Sequence, residues 1–136
     1  MCVFLTVKLS DEDSSRIDEI AAASSLSDGL TVAPIRGIFQ RRTSTLHIFE
    51  PKQGCACSFL TDNSYQDDDT WDIRPQVLIQ LASALQALRS QTRNRFSVDL
   101  NWVGDKTKEE KQVTVEEMTK IVRDNRLSPQ VKYLVL

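Results

Sequence analysis

A chain of 136 residues, 40% hydrophobic and 26% charged with a formal net charge of −2, has the composition of a globular protein and a length that suits one domain with its own core, which argues against a disordered tract or a fibrous repeat. The slightly acidic balance withholds the basic field on which most nucleic-acid binders rely, so no nucleic-acid partner is expected. The longest apolar candidate, Val77 to Leu88, is broken by Gln80, Ser83 and Gln86 and falls short of the roughly 20 residues of a membrane helix, so no membrane partner is expected either.

The opening Met1-Cys2-Val3-Phe4-Leu5 has no basic region ahead of its apolar residues, which argues against an export signal and for a cytoplasmic protein. Three cysteines are an odd number at low density, and in a reducing compartment they fit free thiols.

In chain order, Val3, Leu5, Val7 and Leu9 alternate with Phe4, Thr6 and Lys8 and predict a strand. Ser10 stands three residues ahead of Asp13, a box-like start for a helix reaching about Ser25, with Ile17, Ile20 and Ala21 at helical spacing. Asp28-Gly29 signals a turn, and Leu30 to Ala33 predicts a short edge strand stopped by Pro34. Thr45 to Glu50 and Cys55 to Leu60 are both β-prone, and Pro51-Lys52-Gln53-Gly54 between them has the length and chemistry of a hairpin loop. Thr61 to Thr70 reads as a polar loop.

Asp72 as N-cap and Pro75 in the first turn open a second helix to about Ser90, marked by Leu78, Leu81, Leu85 and Leu88. Phe96, Val98, Leu100 and Trp102 alternate with Ser97, Asp99 and Asn101 and predict a half-buried strand ended by Gly104-Asp105. Asp105 to Gln112 reads as a solvated charged connection. Thr114 and Glu117 form a second capping box, Met118, Ile121 and Val122 share one helical face, Ser128-Pro129 closes the helix, and Val131 to Leu136 predicts the last strand. The order segregates helices onto one face of a mainly antiparallel or mixed sheet: an α+β domain spanning 1–136, with a ferredoxin-like sandwich carrying additions as its nearest general architecture. That architecture hosts unrelated activities and names none.

Candidate chemistry is sparse. In a symmetric hairpin Glu50 opposes Cys55, Ile48 opposes Cys57 and Leu46 opposes Phe59, so both thiols share the aliphatic face and act as small hydrophobes, while His47 points away as an exposed strand residue. Metal or redox work by Cys55 and Cys57 is the competing reading, and a bulge would reverse the parity. His47 is the sole histidine, and neutral-pH general-base chemistry would depend on it or on a strongly perturbed carboxylate or cysteine; no nucleophile elbow or catalytic-cysteine signature surrounds it. Asp62 and Asp67 to Asp69 lack the glycine and closing glutamate of a calcium loop and fit charge stabilisation at the start of the second helix better than cation binding. No metal or cofactor is expected.

Arg36, Arg41 and Arg42, with Phe39 beside them and Thr43, Ser44 and Thr45 following, form the strongest candidate for contact with a small anion or an acidic protein segment. The alternative is a solvated loop that pairs with the acidic stretch after Asp62. Trp102 alternates with core positions, whereas Trp71 either packs over the second helix or anchors a partner. A small non-enzymatic binding or protein-interaction module is therefore the leading expectation, with Arg36, Phe39, Arg41, Arg42, His47 and Trp71 at its site and a homodimer through an edge strand as a further expectation. The alternative is an enzyme acting on an anionic small molecule through the three arginines and His47.

Overall fold

In the computed structural model, residues 3–24, 30–34, 45–52, 59, 74–102 and 108–136 are described. Strand β1 (Val3–Lys8) leads into α1 (Asp11–Ser15), which starts where the Ser10 hydroxyl accepts the Asp13 N–H at 3.1 Å and so satisfies one of the donors a helix start leaves unpaired. Arg16, at φ −107° and ψ 13°, interrupts the helix, and α2 (Ile17–Ser24) follows. The expected single first helix is thus two segments. Strands β2 (Leu30–Pro34) and β3 (Leu46–Pro51), helix α3 (Arg74–Gln91), strands β4 (Phe96–Trp102) and β5 (Glu109–Val113), helix α4 (Val115–Arg123) and strand β6 (Val131–Val135) complete the order.

The six strands form one sheet in the order β2-β3-β1-β4-β6-β5, antiparallel throughout except for the parallel β5–β6 pair. The α+β class with a mixed sheet is as expected. Register lines up one buried face: Leu5 lies opposite Phe49 and Leu100, Val7 opposite His47 and Val98, Tyr133 opposite Val98, and Val135 opposite Phe96 and Val113. Residues directly opposite in neighbouring strands share a face, so these contacts form a continuous floor for the helices. Helix α3 presents Val77, Leu78, Leu81, Leu85 and Leu88 to this core, α4 adds Met118, Ile121 and Val122, and α2 adds Ile20. Helix α3 packs against α2 and α4, and α4 against β5 and β6.

The other face of the sheet carries Lys8, Thr31, Ala33 and Leu46 exposed, with Thr6, Ile48, Asp99, Lys132 and Leu134 half-buried. This placement overturns the expected parity of β3. Leu46 and Ile48 point away from the core, and His47 and Phe49 point into it. The phase is set by β1, whose aliphatic positions Leu5 and Val7 stand opposite Phe49 and His47. The expected hairpin between Thr45–Glu50 and Cys55–Leu60 is also replaced: β3 is flanked by β1 on one side and by β2 on the other, both covering His47 to Phe49, so no edge of that stretch is left for a further strand. Phe59 is fully buried in the core, whereas Cys55 and Cys57 lie outside the described residues.

A second correction concerns the stretch read as a solvated connection. Glu109 to Val113 is strand β5, held by main-chain pairing to β6 from Glu109–Val131 to Val113–Val135. All of its side chains but Val113 are exposed. Charges on an edge strand oppose intermolecular strand pairing, which accounts for a strand with no apolar alternation. Helix α4 ends earlier than Ser128-Pro129, at a left-handed Asn125 (φ 57°), where the Asn125 and Arg126 N–H groups bond the Val122 and Ile121 carbonyls in the manner of a Schellman cap.

Candidate functional site

Of the six expected site residues, only His47 lies within the described part of the chain; Arg36, Phe39, Arg41, Arg42 and Trp71 lie outside it, as do Asp62 and Asp67 to Asp69. Of the described residues around the arginine segment, the structure fixes its two stems. Strand β2 is the outermost of the described strands on its side of the sheet and ends at Pro34, in register with His47. On the far side, the Leu9 N–H bonds the Thr45 carbonyl at 2.9 Å. Segment 35–44 therefore leaves and re-enters the sheet at one corner, between its edge strand and the strand beside it.

His47 stands at that corner with its ring in the core. It is 1% exposed, and neither Nδ1 nor Nε2 has a hydrogen-bond partner among the described residues. Burial holds its pKa below the ordinary imidazole value, because removing a charge from water penalises the protonated form. A neutral ring with no orienting acid among the described residues, on the buried face opposite Val7, also lacks the access to substrate that a general base needs. The exposed histidine expected from the sequence is thus a core residue, and it stands at the base of the segment that carries the arginines.

Sequence reasoning recognised the Ser10–Asp13 box but missed its distant partners. The Asp13 carboxylate, fully buried, accepts the backbone N–H groups of Arg93 and Asn94 at 3.0 Å each. Asn94 Nδ2 donates to the Ser10 hydroxyl at 3.0 Å, and Arg93 Nη1 pairs with Glu12 at 2.7 Å. Burial raises the Asp13 carboxyl, but the two N–H groups, the Ser10 hydroxyl and the Asn94 amide outweigh it and hold the pKa below the usual carboxylate value. The carboxylate thus accepts from main-chain and side-chain donors of both segments, so the cluster joins the start of α1 to the turn between α3 and β4 as a structural tie. A local capping pattern carries no signal for partners eighty residues away in sequence.

Lys108 is a second buried charge. Its ammonium, with a side chain 8% exposed, pairs with Asp99 and donates to the Leu100 carbonyl at 2.7 Å. Among the described residues, no group of three or more His, Cys, Asp or Glu side chains is arranged to hold a metal ion, and no helix is long and apolar enough to cross a membrane. Compared with protein-family models, curated proteins and solved structures, the chain matches none of them.

Proposed function

We propose that this chain is a small cytoplasmic, non-enzymatic interaction module, and that it contacts an acidic protein segment or a small anion through Arg36, Arg41 and Arg42, with Phe39 as an apolar contact beside them. The observation that carries this reading is the burial of His47 on the core face of β3 without a polar partner among the described residues. The enzymatic alternative assigned its proton chemistry to that ring, and an enclosed neutral imidazole is unsuited to the task. Support for the location comes from the stems of segment 35–44, which a rigid sheet holds at its edge. Loops mounted on such scaffolds are where binding residues gather. A homodimer through an edge strand would use β2, because the exposed charges of β5 oppose strand addition there.

Fluorescence anisotropy with a labelled oligoglutamate peptide tests the reading, with an oligolysine peptide of equal length and inorganic phosphate as a competitor alongside. Saturable binding of the acidic peptide but not the basic one is expected, weakened by added salt. Indifference to both peptides and to phosphate would remove the anion-contact assignment. Conversion of a phosphorylated or carboxylated metabolite by the purified chain, lost on substitution of His47 in a folded variant, would restore the enzymatic alternative.

A further inference from the structure

We propose that His47 is an acid-sensitive latch on the β2–β3 edge hairpin: uptake of a proton by its imidazole opens the end of the hairpin and exposes the ring to water, loosening the stems of segment 35–44. The inference goes beyond the binding role and stands whatever that segment contacts.

The first support is the enclosure of the ring. In register, His47 faces Val7 on β1 and Pro34 on β2, with Phe49 two residues along on the same face and Val98 beyond Val7 on β4. The buried stripe of α3 is apolar from Val77 to Leu88, and α2 turns Ile20 inward while its acidic Asp18 and Glu19 remain exposed. The described ionisable groups of the interior are engaged elsewhere: Asp13 with Arg93 and Asn94, Tyr133 with the Ser128 N–H, and Lys108 with Asp99. None of them bonds the ring, whose two nitrogens are both unpartnered. A neutral imidazole without partners is tolerated at a cost, but an imidazolium there would be a buried cation with no counter-charge among the described residues, which is far more expensive. Protonation therefore favours whichever conformation lets the ring reach water.

The second support is the position of His47 along its strand, which makes that conformation a local one. His47 is the second residue of β3, and its ladder neighbours are terminal: Lys8–Leu46 and Val7–His47 end the pairing with β1, and Pro34–His47 ends the pairing with β2. Opening those last pairs, with the Leu9–Thr45 hydrogen bond beyond them, frees the ring, while the longer β1–β4 ladder from Val3–Trp102 to Lys8–Ser97 and the core beneath α3 can stay closed. Elements at a sheet margin open with less free energy than the centre, so the histidine is placed where a proton can act without unfolding the whole chain.

Native-state hydrogen exchange on the full chain at pH 7.5 and 5.0, corrected for intrinsic rates, reads the latch directly. In the parent, protection at Thr31 to Ala33 and at His47 and Ile48 should fall by at least about tenfold at the lower pH, because an opening coupled to one proton gains a factor of ten per pH unit below the free imidazole pKa near 6.5. Protection at Leu81 to Leu88 and at Val98 to Leu100 should hold. In His47→Leu the pH-dependent loss should vanish. An equal loss in the variant, no loss in the parent, or a loss spread evenly over α3 and β4 would overturn the proposal. His47 is the only histidine in the chain, so its ring signals in NMR are unambiguous and serve where the leucine variant fails to fold. The latch requires the protonated ring to appear together with shifted β2–β3 amides; a ring that titrates near 6.5 while those amides stay in place would refute it.

Discussion

The buried carboxylate of Asp13 takes the backbone N–H of Asn94 at 3.0 Å, and its second oxygen takes the N–H of the preceding residue, Arg93, at the same distance. Two successive main-chain donors in the turn after α3 are thereby satisfied by one side chain from the start of α1. Asp13→Ala would leave both main-chain donors and the Ser10 hydroxyl without their acceptor. Hydrogen bonds to a charged group and buried unsatisfied donors make this substitution worth about 2–3 kcal/mol of stability. Urea denaturation followed by circular dichroism gives the value; a loss under about 0.5 kcal/mol would mean that water replaces the carboxylate freely.

Acid should act on the fold in two stages, since both shifted interior groups have folded-state pKa values below their ordinary ones. Such a group binds protons more readily in the unfolded chain, so the stability it provides is complete above its unfolded pKa and is lost as pH falls through the folded value. For His47 the decline starts near pH 6.5, and for Asp13 near pH 3.9, the ordinary values of the two side chains. Thermal unfolding from pH 8 to pH 3 should show the first decline in the parent and not in His47→Leu, and the second in both. A melting temperature that is flat between pH 7 and pH 5 in the parent would contradict the histidine stage.

Helix α3 was legible in the sequence because its signal lies in the side chains: Leu78, Leu81, Leu85 and Leu88 recur at helical spacing, and all are buried. Strand β5 was not legible, because Glu109, Glu110, Lys111 and Gln112 face solvent on an edge and only main-chain pairing with β6 makes them a strand. The phase of β3 failed for a different reason. In Leu46-His47-Ile48-Phe49-Glu50-Pro51 neither alternate set is clearly the more apolar, so the side facing the core was decided by β1 rather than by the segment itself. The phase bears on the candidate site, since His47, grouped with the arginines as the sole histidine, stands on the core face.

The centre of the α3 stripe gives a test of the core. Leu81 and Leu85 have no exposed surface and lie in the contiguous cluster with Leu5, Val7 and Phe96. Replacing either with alanine removes buried methyl groups and leaves a cavity that close packing fills only in part, a loss of about 2–5 kcal/mol. The urea midpoint should fall accordingly with the slope unchanged. A midpoint equal to the parent's would imply that the helix face is covered by something other than this sheet.

The arginine segment offers the sharpest separation of binding from folding. Its stems are set by Pro34 opposite His47 and by the Leu9–Thr45 hydrogen bond, all main-chain features that substitutions at Arg36, Arg41 and Arg42 leave untouched. The triple alanine variant should therefore unfold within about 0.5 kcal/mol of the parent, the range of ordinary surface changes. Its affinity for the acidic peptide should drop, and its dissociation constant should respond less to salt, because attraction between solvent-exposed charges is what salt screens. Measured from 50 to 300 mM sodium chloride, the parent's affinity should decline more steeply than the variant's. Parallel salt profiles with equal dissociation constants would return the three arginines to the ordinary charge of a protein surface, whereas a loss of affinity that persists unchanged at high salt would assign the contact to Phe39 and its apolar neighbours instead.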